Sequence, residues 1–546
     1  MRPDPPPPAD PQTTAGSHHI ELFDRGVPFS KTVLWQLNEA FYASQGPGAW
    51  QWVPYGPTNT VLLADTYARL VYHWLCDNLN NLDLAEPLYV LEAGAGLGQF
   101  AFHFVVSMTE LLAGHEQLKT LAFKYVLSDF TSVLVEMYAH NYRLEPFLQS
   151  GLMDRCVFDP QTDHTIHLQT SGQSISLAND LVNPLVVIGN YYFDTIPHDC
   201  FRVVDHQLQE VLYYTSRVVA PNQNQGPVRA NQLDLKESCH KATLPYYGVP
   251  VIDAVLNVFE TQYEIGAFEF PIGGLRALEN LSALCNGRLL ALISDKGHAQ
   301  PEALERFHND YIEFHNEGFS VGVNFMALEH YTRLKGGRCF LTRPRYLDLV
   351  TCMMDFTPAH PSQTASMSDY FFNHVLDLYN LPNQLFRQYD WVYDTQPKAG
   401  ADYLKPILTL LHLNRYDPYA LQAVEPYVHA LEVGNPVRRQ LILNAMGQVE
   451  RRLFPTQALR ESYFLMAALY RKLAMWPEAL TMTNMLLRLY GFHVEGMMLK
   501  GNVLTELNRL DEAGAVYQEC LAMMPGDHPA RDSVAQLTRY YRSQEP

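Results

Sequence analysis

Through the first two-thirds of the chain, stretches of helical apolar spacing alternate with short, unbroken apolar runs. From about residue 20 to 85 the spacing is helical. Leu34, Leu37, Ala40 and Phe41 share one face, as do Leu62, Leu63, Tyr67, Leu70, Val71 and Leu75. Between them WQWVPYGPTN (50–59) reads as a loop, unusually aromatic with Trp50, Trp52 and Tyr55. LYVLEAGA (88–95) is a short apolar run followed by glycines, the pattern of a buried strand entering a turn. A helix follows through Phe100, Phe104, Met108 and Leu111. Then come a strand FKYVLSDF (123–130), a helix at 131–142, and strands LVVIGN (185–190) and GRLLALISD (287–295). Strands that are apolar on both faces, alternating with amphipathic helices, predict a parallel sheet covered on both sides. Segment 205–250 breaks the rhythm. VLYYTSRVV reads as an antiparallel strand and PNQNQGPVRANQ as an exposed loop, so the segment is expected to be an insertion or a sheet extension.

Beyond about residue 365 the strand signal stops and helical spacing runs to the end. Ala467, Tyr470, Leu473, Trp476, Glu478 and Ala479 align at an offset of 34 with Gly501, Leu504, Leu507, Leu510, Glu512 and Ala513. That period, with small residues at the helix contacts and Pro525 closing the unit, resembles the tetratricopeptide repeat. Two copies cannot stand alone as a solenoid, because each unit buries its face on the next. Residues 401–460 are therefore expected to supply degenerate helical pairs. The division is then a Pro-rich tail expected to be disordered (1–19), a domain at 20–365, and a helical domain at 366–546 whose clearest repeats are 462–525.

Composition narrows the function. Of 546 residues, 47% are apolar and 18% charged, and 39 Lys and Arg against 58 Asp and Glu leave a formal charge of −19. Such a balance argues against gripping nucleic-acid phosphates or an anionic membrane face. No window is apolar for long enough to span a bilayer, and the N-terminal segment lacks the apolar core of a signal peptide. Eight cysteines without a CxxC pair indicate neither a disulfide framework nor a zinc finger. Asp163, His164 and His167 read as a solvated loop, not a metal site. A cytoplasmic protein with no nucleic-acid or membrane partner and no bound metal is expected.

The sharpest chemical signal is Glu92-Ala-Gly94-Ala-Gly96-Leu-Gly98, where a strand meets a helix. Glycines permit positive φ and close approach of a ligand, and the following helix presents free N–H groups. A triphosphate loop needs GxxxxGK[ST], and no Lys-Ser or Lys-Thr follows these glycines. For a dinucleotide, the relaxed GxGxxA form passes from Gly96 to Ala101. Its acidic partner belongs about 20 residues on, whereas Asp129 lies 33 beyond Gly96.

The same residues resemble the class I S-adenosylmethionine-dependent methyltransferase family, whose first motif is an acidic residue followed by GxGxG and whose second is an acidic residue closing the next strand. The resemblance implies a Rossmann-like α/β fold, with Glu92, Gly94, Gly96, Gly98, Asp129, Phe130 and Asn190 as cofactor-binding residues. Asp129 would accept the ribose hydroxyls, Phe130 would lie on the adenine, and Glu92 would face the methionine amino group. NYYFDTIP (190–197) resembles the NEFFDALP-like segment of the MidA-type methyltransferases, relatives of the mitochondrial complex I assembly methyltransferase. Asn190, Phe193, Asp194 and Pro197 match; Tyr191 stands where that family has Glu, and Asp295-Lys296-Gly297 where it has Asp-Tyr-Gly. Because Asp194 and Tyr191 follow the strand beside the cofactor strand, they are the candidate catalytic residues. The expected protein is an S-adenosyl-L-methionine-dependent methyltransferase acting on a protein side chain recruited by the helical repeats. The alternative is a non-catalytic repeat scaffold that retains a cofactor-binding domain.

Overall fold

The computed structural model describes residues 19–53, 56–176, 180–219, 227–305, 312–342, 349–358, 366–376 and 402–542. Residues 1–18 of the tail expected to be disordered, Tyr55 and most of the PNQNQGP stretch lie outside these residues, whereas His19 begins a strand. In chain order, the first region holds β1 (His19–Leu22), α1 (Val33–Gln45), α2 (Val61–Asp77), β2 (Leu88–Ala93), α3 (Gln99–Ala113), β3 (Phe123–Asp129), α4 (Ser132–Ala139), β4 (Met153–Val157) and β5 (Leu185–Asn190). It continues with β6 (Asp199–Val204), β7 (Gln207–Val219), β8 (Asp234–Lys241), α5 (Pro250–Gln262), β9 (Ile265–Phe270), α6 (Ile272–Leu284), β10 (Leu289–His298), α7 (Phe325–Leu334), β11 (Arg338–Leu341), β12 (Leu349–Asp355) and α8 (Met367–Phe371).

The central sheet runs β11-β12-β10-β5-β2-β3-β4, with the short strand Val323–Asn324 beside β10. From β10 to β4 the strands are parallel, as the sequence predicts; β12 pairs antiparallel with both β10 and β11, so the sheet is mixed. Every residue of β2 is buried, and alternate side chains enter opposite cores. Tyr89, Leu91 and Ala93 join the core under α5, α6 and α7, while Leu88 and Val90 join the one under α2 and α3.

Segment 205–250 is neither an insertion within this sheet nor an extension of it. β7 anchors a second, antiparallel sheet with β1, β6 and β8, and β9 completes it beside β6. Residues 19–22 are a strand of that sheet, where helical spacing was expected to begin. The aromatic stretch is partly wound into two 3-10 turns, Gly46–Gln51 and Gly56–Thr58.

The helical region comprises α9 (Leu404–Leu413), α10 (Pro418–Ala423), α11 (Pro436–Arg452), α12 (Arg460–Lys472), α13 (Trp476–Tyr490), α14 (Val494–Glu506), α15 (Leu510–Met523) and α16 (Arg531–Arg542), with a short helix at Glu425–His429. The first region does not end at 365. Asp77 at the end of α2 accepts the main-chain N–H groups of Met367 and Ser368, and Phe371, Phe372 and Leu376 complete the core under α2 and α3.

Candidate cofactor and methyl-transfer site

A cavity of about 390 Å³ opens at the C-terminal ends of β2, β3 and β5, where open parallel sheets bind ligands. The Gly-rich turn forms its floor. Gly94 and Gly96 have φ of +67° and +55°, a conformation costly to any side chain. A Cβ on Gly96 would sit 2.9 Å from the Trp50 ring, and one on Gly94 would sit 3.0 Å from Tyr192. Gly98 caps α3 from behind, at φ +77°, without lining the cavity. Hydrogen bonds fix the turn to its neighbours: Ala95 N–H to the Ser128 carbonyl (2.9 Å), Ser128 hydroxyl to the Glu92 carbonyl (2.7 Å), and Tyr138 hydroxyl to the Gly96 carbonyl (2.9 Å).

Two buried carboxyls face the cavity. Burial pushes Glu92 up to about 8, against the pull of the Tyr125 hydroxyl, which donates to it at 2.9 Å. Burial also lifts Asp129, to about 6, while hydrogen bonds from Thr131 and the Gly96 N–H draw it down. Phe130 lines the wall, partly exposed, with its ring edge-on to Tyr42. At the end of β5, Tyr67 donates to Asn190 Oδ1 (3.3 Å), and Asn190 Nδ2 is buried without a partner.

Tyr191 lines the cavity with φ +49°, a strained state for a bulky residue, held by its N–H to the Ser294 carbonyl at 2.9 Å. Burial and the nearby Asp194 push its hydroxyl far above the range of a base. Asp194 itself is absent from the cavity lining. It is buried beneath the 190–197 loop against Asp295, whose carboxylate accepts the Phe193 N–H at 3.0 Å. Burial raises both carboxyls above the ordinary carboxylate range. The adjacency to a strand end that made Asp194 a candidate is real, but its carboxyl is buried beside Asp295 and does not line the cavity.

Several lining residues went unassigned in the sequence. Trp35, Asn38, Glu39 and Tyr42 come from α1, Trp50 and Thr58 from the two 3-10 turns, Asn59 from the residue after the second, and Asp159 and Gln161 from the segment after β4. The aromatic excess of the 50–59 stretch was the one signal of the roof. Among the described residues, the lining contains carboxyl and amide side chains but no Lys, Arg or His.

This donor set fits S-adenosylmethionine. Glu92 would take the ammonium, Asn190 Nδ2 would offer a buried donor to the carboxylate end, and Asp129 would accept ribose hydroxyls. The glycines open space that any Cβ would fill. A sulfonium carries its own positive charge and an activated methyl group, so the protein's task is alignment and exclusion of water.

Residues 70–320 match the model of a family described as "Putative S-adenosyl-L-methionine-dependent methyltransferase". No curated protein matches the chain. Among solved structures, the chain is similar to an uncharacterized protein from Burkholderia thailandensis, at 13% identity over 63% of this chain and 90% of that one, with a TM-score of 0.37. A second member of that superfamily from the same organism, solved with S-adenosyl-homocysteine bound, gives 16% identity over 60% and 75%, with a TM-score of 0.35. The CMeT domain of the citrinin polyketide synthase gives 12% over 53% and 52%, with a TM-score of 0.24. Likeness of that degree carries no weight for the activity, which rests on the family match and the site. The sheet-bearing region is an S-adenosyl-L-methionine-dependent methyltransferase domain, with S-adenosylmethionine as its cofactor.

Proposed function

We propose that this chain methylates a side chain of a protein brought to the cavity by its C-terminal helices. The observation that carries the acceptor's character is the lining: Glu39, Glu92, Asp129 and Asp159 without one cationic side chain. With four carboxyls and, among the described residues, no cationic side chain to offset the charge of a second anion, such a lining favours a neutral or cationic acceptor over an anionic metabolite or a nucleic-acid backbone. Tyr191 and Asn190 border the methyl position in this reading, and Asp194 acts through the loop it supports. The matched letters of residues 190–197 support a MidA-type relative, with Tyr191 in place of Glu as its departure.

The recruiting module is a tetratricopeptide-like array. In support, α12 and α14 begin 34 residues apart, as do α13 and α15. Ala479 and Ala513 are fully buried at equivalent points. Gly501 lies so close to Tyr517 that a Cβ would stand 2.4 Å from its ring. A cytoplasmic location fits the composition, and among the described residues no helix is long and apolar enough to cross a membrane.

The test is transfer of labelled methyl groups from S-adenosylmethionine to lysate proteins by the full-length chain. One discrete labelled protein band is expected, diminished when a substitution on the exposed face of α13 to α15 weakens docking. Label confined to small molecules would end the protein-acceptor reading. Cofactor binding with no transfer to any fraction would favour a cofactor-binding scaffold.

A further inference from the structure

We infer that the C-terminal helices are a working part of the cofactor site, with Thr456 as a positioning residue that acts through Gln99 and Asn59. The inference needs only the cofactor site described above and is independent of what the acceptor is.

The connection between α11 and α12 leaves its own helices and enters the core of the first region. Phe454 and Leu459 are fully buried in the cluster formed by α2 and α3, and the Phe454 ring lies 5.4 Å from that of Phe102. Between them Thr456 is buried, and its hydroxyl donates to Gln99 Oε1 at 3.2 Å. Gln99 is the first residue of α3, directly after the left-handed Gly98 that ends the cofactor turn. Its Nε2 donates in turn to the Asn59 carbonyl at 3.1 Å, and Thr58 and Asn59 line the cavity. Thr456 is itself held from behind, because the Tyr490 hydroxyl of α13 donates to its carbonyl at 2.9 Å. A chain of polar contacts, buried at Thr456 and Gln99, thus runs from the C-terminal helices to the cavity wall.

A second contact, one turn away, sets the same wall. Asp417 begins α10 as its cap, accepting the Tyr419 N–H at 2.8 Å with Oδ1. Its other oxygen accepts the N–H of Val61, the first residue of α2, at 2.7 Å. One buried carboxylate therefore caps a helix of each region and fixes the start of α2 right after the 58–60 segment. Arg415 adds a contact to Asp65 at 3.3 Å, and Arg452 one to Ser107 at 3.4 Å. Domains that touch through exposed polar patches tend to move relative to each other, whereas those sharing a buried apolar core do not. Here the cores merge, and Thr456 and Asp417 make hydrogen bonds across the seam.

Removing the Thr456 hydroxyl leaves a buried amide oxygen on Gln99 without its donor, which such a side chain avoids by turning away. The Asn59 carbonyl then loses its anchor, and the cavity wall shifts. The experiment is calorimetric titration of S-adenosylmethionine into full-length Thr456→Val, Thr456→Ser and Ala513→Trp, with melting curves for each. Thr456→Val is expected to weaken binding about tenfold, the scale of one lost buried hydrogen bond, and to raise KM for the cofactor while kcat at saturation changes little. Thr456→Ser restores the donor and is expected within about twofold of wild type. Ala513→Trp disturbs a repeat contact away from the seam, so it lowers the melting temperature and leaves cofactor affinity alone. Should Thr456→Val fail to fold, amide exchange on the wild-type chain decides: cofactor must slow exchange at 454–459 and at Val61. Wild-type affinity in a folded Thr456→Val, or exchange at the seam that cofactor leaves untouched, overturns the inference.

Discussion

In the sheet-bearing region, Tyr191 has left-handed backbone at the cavity, beside Gly94 and Gly96, while other left-handed glycines such as Gly151, Gly172 and Gly248 do not line it. Its other non-glycine examples, Asp205, His206, Asn286 and Asn316, are residue types that turns tolerate. In the helical region the non-glycine examples, Arg415, Tyr416, Ala474 and Asn508, all fall just past a helix end. Ala474 and Asn508 are 34 residues apart, so the repeat is written in the backbone as well as the side chains. Charge divides the same way. Residues 401–546 carry fifteen Lys and Arg and fifteen Asp and Glu, so the whole charge of −19 belongs to the first 400 residues. Tyr191, a bulky residue poorly suited to its backbone, lies at the cavity, whereas the left-handed residues of the helical region turn the chain past helix ends.

The largest expected effect comes from Gly96→Val. A side chain at φ +55° that also meets the Trp50 ring should abolish cofactor binding in a titration while the helical region still melts cooperatively. Next is Phe454→Ala. This ring is fully buried in the first region although it belongs to the second, and removing it should cost about 3–5 kcal/mol in denaturant unfolding. A chain ending at Leu376 should therefore be poorly soluble or unfolded, since the seam would expose Phe102. If it instead folds and binds cofactor like the whole chain, the two regions are independent.

Protonation gives a smaller and more specific effect. Glu92 near 8 and Asp129 near 6 both stand above the ordinary carboxyl range. Each raised pKa means the ligand-free fold holds its proton more tightly than the unfolded chain. That contribution to stability is complete at low pH and is lost as pH rises through the raised values. A ligand that needs both groups ionised must expel those protons. Cofactor binding should therefore release protons at neutral pH and tighten between about pH 6 and about pH 8. Calorimetry in two buffers of different ionisation enthalpy measures the release, and Glu92→Gln should remove most of it. The smallest effect is at a turn: Ala474→Gly relieves φ +51° and should stabilise the helical region by about 0.5 kcal/mol, with no change at the cavity.

The parallel strands were legible because burial on both faces leaves an unbroken apolar run, as in β2 and β5. The glycine turn was legible because few residues can take its dihedrals. The second sheet was not, since β1 is four residues long and pairs with β7 nearly two hundred residues later. Asp194 was placed in the crevice by its distance from a strand end, but the turn at Tyr191 depends on an improbable φ that no propensity predicts. The wall built by Asn59, Gln99 and Thr456 depends on contacts across more than 350 residues, which neither period nor spacing records.

The central claim is that the cavity at the ends of β2, β3 and β5 binds S-adenosylmethionine. Titration of S-adenosylmethionine into the full-length chain, beside Gly96→Val, tests it most directly. One saturable site per chain, absent from the variant, is the predicted result; no heat from the wild-type chain at saturating cofactor, or equal binding by the variant, would contradict it.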